Sequence, residues 1–151
     1  MARNTAAAGL PKSHLHIRIG ALVLCLVLAG NGCFLASHNV TIAVEYQTFQ
    51  QRPNYSKSID ILLGAELKLV LHSNGTTGYT WTDPAQLTDP TVLEQADHRY
   101  VSPLDPRAGA AGHEVFIFET KAKGACTIFL EYKRPLSPEV AYTCTINVEV
   151  M

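Results

Sequence analysis

The sequence predicts an all-β protein: a β-sandwich of seven or eight strands, preceded by a signal peptide. Three observations lead to this fold class. Apolar and polar residues alternate in most segments of the second half, turn residues separate these segments, and no window after the signal peptide longer than a turn has a helical period. With 151 residues, 47% of them apolar, the chain can build one domain with a hydrophobic core. The formal net charge of −1 gives no field that would attract nucleic acid, so no such partner is predicted.

The first 32 residues are typical of a signal peptide. Three basic residues and no acidic one accompany an unbroken apolar run over 19–29, which is shorter than the roughly 20 residues that a membrane-spanning helix needs. Cys33 follows this run as the cysteine of a bacterial lipid-attachment site does, although Gly30 stands where leucine is usual. We therefore expect export to a bacterial cell envelope, either anchored by a lipid on Cys33 or free in the periplasm after plain cleavage, with secretion as a further alternative. Loss of residues 1–32 leaves nine basic and thirteen acidic side chains, a net charge of −4.

The remaining chain divides into an N-terminal segment and the sandwich. Residues 33–57 are expected to hold the first strand, over 39–48, and a polar loop, and residues 58–151 to form the sandwich that this strand completes. Residues 83–97 contain two Asp-Pro steps and little periodicity, so they are predicted to be a connection. Strands are predicted from β-branched residues and period-two alternation at 58–63, 67–72, 79–82, 99–101, 114–120, 126–133 and 142–150.

Two cysteines lie on the apolar faces of the last two predicted strands. A hairpin register that places Cys126 opposite Cys144 also pairs Ile128 with Tyr142, so that apolar residues face each other. A disulfide is one alternative in an oxidising compartment, and two separate buried thiols are the other.

No pattern of residues indicates an enzyme. The six histidines, at positions 14, 16, 38, 72, 98 and 113, form no His-x-x-x-His pair and adjoin no Cys-x-x-Cys motif. There is neither a nucleophile elbow nor a phosphate-binding loop. We therefore predict no catalytic residue, no metal and no cofactor.

Three loops are candidates for binding another protein, although each alone is also explained as an ordinary turn. They are Asn74-Gly75-Thr76-Thr77-Gly78-Tyr79-Thr80-Trp81, Gly109-Ala110-Ala111-Gly112 and Lys133-Arg134-Pro135-Leu136-Ser137-Pro138. The first loop presents two hydroxyls between glycines, and Tyr79 and Trp81 alternate so that both can anchor its base. The second lacks bulky side chains, which lets another backbone approach closely. The third is stiffened by two prolines.

Together these loops resemble the chagasin family of inhibitors of papain-like cysteine peptidases. That family carries Asn-Pro-Thr-Thr-Gly-aromatic-x-Trp, then Gly-x-Gly-Gly, then Arg-Pro-Trp, and the resemblance covers roughly residues 59–150. The first motif is the specific one, and it matches at Asn74, Thr76, Thr77, Gly78, Tyr79 and Trp81. Gly75, Ala111 and Leu136 depart from the pattern, because they stand where the family has proline, glycine and tryptophan.

The resemblance implies an immunoglobulin-like sandwich with all three loops at one end, which form a wedge for the active-site cleft of a peptidase. Residues 76–78 would lie over the catalytic cysteine, residues 109–112 would offer backbone to one wall, and residues 134–136 would press the other, while Trp81 would be structural. Loss of the tryptophan ring at position 136 would weaken binding about tenfold. The function implied is reversible inhibition, and the alternative is a cell-envelope lipoprotein with a binding or structural role and no inhibitory activity.

Overall fold

The computed structural model describes residues 39–104 and 109–151, which contain nine strands, one α-helix and one 3₁₀ turn. In chain order these are β1 Val40–Val44, α1 Tyr46–Gln51, β2 Asn54–Ile61, β3 Glu66–Ser73, the 3₁₀ turn Gly75–Thr77, β4 Thr80–Trp81, β5 Gln86–Leu87, β6 Leu93–Val101, β7 Gly112–Thr120, β8 Gly124–Lys133 and β9 Val140–Val150. The predicted signal peptide and Cys33, the predicted site of lipid attachment, lie outside the described residues. Within the described ranges, no helix has the length and apolar character needed to cross a membrane.

The strands form two sheets. The first has the order β1-β3-β7-β6, and the second has the order β2-β9-β8-β4, with β5 also paired to β8. The pairs β1–β3 and β2–β9 are parallel, and the others are antiparallel. The predicted all-β sandwich is therefore confirmed, with two-residue strands at β4 and β5 bringing the number of strands to nine.

The core lies between the inner faces of the two sheets. Its fully buried side chains come from alternate positions of the long strands: Leu67, Leu69, Leu71, Phe116, Phe118, Ile128, Leu130 and Ile146. Period two places all of these side chains on one face of each strand, as the alternation in the sequence predicts. Each contributes about 1.5–3 kcal/mol of hydrophobic stabilisation, so the sandwich is a rigid support for the loops at its ends.

The N-terminal segment differs from the prediction. β1 ends at Val44, a helix follows where the end of the strand was expected, and β2 begins at Asn54, inside the predicted loop. The helix has six residues and no side-chain cap at Glu45, so its local signal is weak. Tertiary packing stabilises it, because Phe49 is fully buried and its ring centroid lies 5.2 Å from that of Trp81.

The connection predicted over 83–97 is also partly wrong. β6 begins at Leu93 and runs along the edge of the first sheet, with a bulge between Gln95 and Asp97. A bulge adds one residue to one strand and breaks the alternation. Polar side chains are typical of an edge strand, and here they hide its pattern.

The register that placed the two cysteines opposite each other is wrong. Cys126 pairs with Val148, and Cys144 pairs with Leu130, so the two residues are four positions out of register. Both thiols are free and buried. The structure therefore agrees with two separate thiols and not with a disulfide between them. Burial raises the pKa of Cys144 to about 12, which keeps this thiol protonated and unreactive.

Candidate functional site

The three candidate loops lie at the same end of the sandwich. The first connects β3 to β4, the second leads into β7, and the third connects β8 to β9. In the first sheet Ser73 pairs with Gly112, and in the second sheet Thr80 pairs with Lys133. Because each of these pairs joins the end of one loop to the end of another, the sheets hold the three loops side by side.

Direct contacts between the loops tighten this arrangement. The side-chain amide nitrogen of Asn74 donates a hydrogen bond to the carbonyl oxygen of Gly109, at 3.3 Å. On its other side, the first loop places the Tyr79 ring under the guanidinium of Arg134, with 4.7 Å from Cζ to the ring centroid. The first loop is therefore the centre of the cluster, and it touches both neighbours.

The first loop is closed by its own side chains. Asn74 Oδ1 accepts hydrogen bonds from the backbone N–H of Thr76, at 3.1 Å, and from its hydroxyl, at 2.7 Å. The Thr77 hydroxyl donates to the carbonyl oxygen of Asn74 at 2.7 Å, and Gly78 ends the turn at a φ of 76°, which favours glycine. Residues 75–78 are nonetheless all exposed, so the tip is both ordered and accessible.

A stack of aromatic rings supports the base of this loop. Tyr79 stacks on Tyr132 with 5.5 Å between ring centroids, and Tyr132 packs on Trp81 at 5.2 Å. The hydroxyl of Tyr132 accepts a hydrogen bond from the backbone N–H of Asn74 at 2.9 Å, and Trp81 is buried, with 1% of its surface exposed. Tyr132 was not predicted as a site residue. It could have been found as a tyrosine on an apolar strand face, because a buried hydroxyl needs a hydrogen-bond partner.

The second loop depends on its glycines. Gly109 has a φ of 83°, and a Cβ on Gly112 would lie 2.3 Å from the carbonyl oxygen of Val101. The positive φ favours glycine at position 109, and the close backbone oxygen leaves no room for a side chain at position 112. The two alanines between them keep the backbone open to a partner, and Leu104, before the loop, has a fully exposed side chain.

The third loop holds an apolar side chain out into solvent. Leu136 is fully exposed and has a φ of 64°, a left-handed conformation that is rare for a branched side chain. The backbone N–H of Ser137 donates to the carbonyl oxygen of Arg134 at 3.2 Å, which closes the turn. Backbone strain combined with an exposed leucine is typical of a binding position.

A buried carboxylate lies directly beneath the first loop. Glu114 is 2% exposed, and its Oε1 accepts hydrogen bonds from the Ser73 hydroxyl at 2.7 Å, the Thr80 hydroxyl at 3.1 Å and the backbone N–H of Trp81 at 3.1 Å. These donors flank the loop on both sides. Glu114 was predicted only as part of a strand. It could have been found as an acidic residue at an inner-face position, two residues before the apolar Phe116.

An open groove runs along one side of the loops, with a volume of about 570 Å³. Its lining includes Asn74 and Thr77 of the first loop, Ala111 of the second, Arg134 of the third, and Tyr46 of α1. The helix therefore adds an aromatic side chain beside the loop cluster, in a part of the chain where the sequence indicated no site.

These features define the class of protein: a rigid sandwich that presents a shaped, three-loop surface to another macromolecule. In the described part of the chain, no cluster of histidine, cysteine and carboxylate side chains could hold a metal ion. Residues 60–150 match the Chagasin family peptidase inhibitor I42, and the chain belongs to this family. The predicted function is thereby confirmed at the level of the family: the protein is an inhibitor of papain-like cysteine peptidases and not an enzyme.

Solved structures agree on the fold. The cysteine protease inhibitor EhICP2 from Entamoeba histolytica is 18% identical, with a TM-score of 0.60 over 76% of this chain and 98% of that chain. PbICP-C, solved in complex with falcipain-2, is 16% identical, with a TM-score of 0.59 over 75% of this chain and 100% of that chain. Amebosin is 24% identical, with a TM-score of 0.56 over 75% of this chain and 98% of that chain. No curated protein sequence matches the chain significantly.

Proposed function

We propose that this protein inhibits papain-like cysteine peptidases reversibly by inserting its three loops into the active-site cleft. The observation that carries the proposal is the closed, exposed loop at residues 74–79, which contacts both other loops at one end of the sandwich. The complex of the similar PbICP-C with falcipain-2 supports it. Because the loop is ordered before binding, it loses little conformational entropy in the complex.

The closed backbone also accounts for inhibition without cleavage. The N–H of Thr77 donates to the carbonyl oxygen of Asn74 at 3.1 Å, and Gly78 turns the chain back toward Tyr79. A peptidase threads an extended segment through its cleft, and a 3₁₀ turn does not present one. Residues 76–78 thus cover the catalytic cysteine without becoming a substrate.

The outer loops bind the walls of the cleft in this proposal. The backbone of residues 109–112 approaches one wall, and Arg134, Pro135 and Leu136 press the other. The exposed Leu136 side chain supplies apolar area there, and the Arg134 guanidinium, held on Tyr79, supplies hydrogen-bond donors. Three such tips can bury about 1,600 Å², the standard size of a specific interface.

The test is a titration of papain with purified residues 38–151, which contain both sheets and the whole core. We expect inhibition constants in the nanomolar to micromolar range. The double variant Thr76→Asp/Thr77→Asp should weaken inhibition at least a hundredfold, because two carboxylates would lose water in the cleft. The matched control is Ser56→Asp/Ser58→Asp, which adds the same charge on the exposed strand β2 and should inhibit as the wild type does. Equal inhibition by the loop variant and the control would contradict the wedge.

We also infer, from the basic start and the apolar run of the sequence, that the chain is exported and carries a lipid on Cys33. The intact mass of the protein purified from membranes measures this directly, since acylation adds several hundred daltons and plain cleavage adds none.

A further inference from the structure

A histidine lies between two carboxylates behind the central loop. His98 Nε2 is 2.9 Å from Glu114 Oε2, and its Nδ1 is 3.1 Å from Asp83 Oδ2. The ring stacks on Phe116 with 4.2 Å between centroids, and Gln95 Nε2 donates to the other oxygen of Asp83 at 2.7 Å. One face and both nitrogens of the ring are therefore held in a fixed geometry.

The number of protons in this cluster follows from the geometry. A neutral imidazole carries one N–H, and its other nitrogen is an acceptor. Here each nitrogen faces a carboxylate oxygen. With both carboxylates ionised, both nitrogens must carry a proton for both contacts to be hydrogen bonds, and an imidazolium that bridges two acids satisfies this geometry.

His98 is the basic side chain that pairs with Glu114 among the residues that the structure describes. Of the other basic groups around it, Lys133 is paired with Glu131 at 2.6 Å, and Arg99 is paired with Asp97. Side chains alternate between the two faces along β3 and β7. Because Ser73 and Glu114 point inward, their neighbours His72 and His113 lie on the opposite face of the first sheet. A buried carboxylate without a cationic partner is strongly disfavoured, so Glu114 depends on His98.

Glu114 in turn holds both ends of the inhibitory loop. Its Oε1 binds Ser73, the last residue of β3, together with Thr80 and Trp81 of β4. The six residues between these two points are the loop proposed to enter the cleft. A single carboxylate thus contacts both ends of the loop.

We propose that Glu114 is a positioning residue for the inhibitory loop and that His98, as an imidazolium, fixes it, so that affinity for the peptidase depends on the charge of His98. The inference rests on the proposed function and adds a residue pair that lies behind the loop. Histidine changes its charge between about pH 5 and pH 8. When His98 loses a proton, one nitrogen turns its lone pair toward a carboxylate, the contact becomes repulsive, and the ends of the loop loosen.

Glu114→Gln gives a readout that a merely structural role would not move. The amide oxygen can still accept from the loop ends, but the amide nitrogen then faces His98 Nε2 as a donor. That contact is a hydrogen bond when His98 is neutral and a clash of two donors when it is charged. The variant should therefore respond to pH in the opposite direction from the wild type.

The experiment measures inhibition constants for papain at pH 5, 6, 7 and 8. The ratio of the Glu114→Gln constant to the wild-type constant cancels the pH dependence of the peptidase and of the other histidines. We expect this ratio to fall about tenfold from pH 5 to pH 8, as loss of one charge-assisted hydrogen bond predicts. Leu136→Ala, which weakens contact and leaves the pair intact, should keep a constant ratio. A ratio for Glu114→Gln that does not change with pH would overturn the proposal.

A second variant and a second measurement keep the test independent of folding defects and of the proposed function. His98→Gln removes the titrating group, so its inhibition should lack the component of pH dependence that the wild type and Leu136→Ala share. Without any peptidase, ¹⁵N NMR of the His98 ring should show an imidazolium at pH 6 in the wild type and a neutral ring in Glu114→Gln. Amide exchange of residues 76–78 should be faster in both variants. A neutral ring in the wild type would contradict the proposal even if papain were not inhibited, whereas absence of inhibition with an imidazolium present would contradict only the proposed function.

Discussion

Leu136 combines a left-handed backbone, a φ of 64°, with a side chain that lies wholly in solvent. Such a conformation costs a non-glycine residue about 1–3 kcal/mol, and nothing in the free protein repays it. The conformation of Leu136 therefore lowers the stability of the free protein and leaves the side chain accessible to a partner. Glycine would remove the strain and the contact together.

For Leu136→Gly we expect a rise of about 1 kcal/mol in the free energy of unfolding and inhibition of papain weakened about tenfold. Urea denaturation and titration of the peptidase measure the two effects. A variant that is less stable, or that inhibits as well as the wild type, would show that Leu136 is not a strained contact residue.

Gly75 offers a way to stiffen the central loop. It is the first residue of the 3₁₀ turn, a Cβ there would meet nothing within 4 Å, and Asn74 is extended, as a residue before proline prefers. Gly75→Pro should therefore stabilise the protein by about 0.4–1 kcal/mol and tighten inhibition several-fold, because the free loop has less freedom to lose. The same change at Gly78, where φ is 76°, should destabilise the protein. Weaker inhibition by Gly75→Pro would contradict a preformed loop.

At this scale the sequence predicts motif residues well and supporting residues poorly. The spacing of threonines, glycine and aromatic residues over 74–81 identifies the central loop directly. Glu114 lies in a strand of apolar residues, and its donors come from residues up to 41 positions away along the chain. Only the pairing of β3, β4 and β7 brings these groups together, so no local pattern predicts the cluster.

At the scale of elements, the loops are only as rigid as the strands and rings beneath them. Tyr132, near the end of β8, joins the stack of Tyr79 and Trp81 to the backbone of Asn74. Its hydroxyl is the one contact of the stack that fixes the backbone of the central loop through a hydrogen bond. The aromatic packing and the hydrogen bond can be separated by one substitution.

Tyr132→Phe should keep the stack and lose the hydrogen bond, which leaves the Asn74 N–H without this partner. We expect a loss of about 1 kcal/mol in stability and faster amide exchange at residues 74–78, with inhibition weakened several-fold. Exchange measured by mass spectrometry tests this. Unchanged exchange in the loop would mean that the aromatic packing alone holds it.

Strands with clean alternation were predicted over most of their length, whereas β5 and the first six residues of β6 were not. β3, β8 and β9 each bury one face, so period two is visible in the sequence. The pairing of β8 with β9 was predicted four residues away from the observed register. A slip by an even number keeps every apolar residue on the same face, so alternation cannot detect it. The helix α1 was not predicted because it has no side-chain cap that the sequence would reveal. The packing of the buried Phe49 stabilises it instead.

At the scale of the whole molecule, the outer face of the first sheet makes stability depend on pH. Burial lowers the pKa of His72 from its ordinary value of about 6.5, the nearby His113 lowers it further, and Glu45 acts in the opposite direction. Between the ordinary and the lowered value the unfolded chain binds more protons at this residue than the folded chain does. This residue therefore contributes a loss of stability as pH falls below about 6.5.

His72→Gln should remove that contribution. We expect the difference in unfolding free energy between variant and wild type to shift in favour of the variant as pH drops from 7 to 5. Urea denaturation at several pH values measures the difference. A difference that is constant across this range would contradict the assignment.

The central claim is that the loop cluster covers the catalytic cysteine of the peptidase and is not cleaved. The most direct measurement is the rate at which iodoacetamide alkylates that cysteine in papain as purified residues 38–151 are added. We predict that alkylation slows in proportion to the complex formed, stops changing at one inhibitor per peptidase, and leaves the inhibitor at its intact mass. Alkylation at the unprotected rate in a saturated complex, or cleavage between residues 74 and 79, would contradict the account.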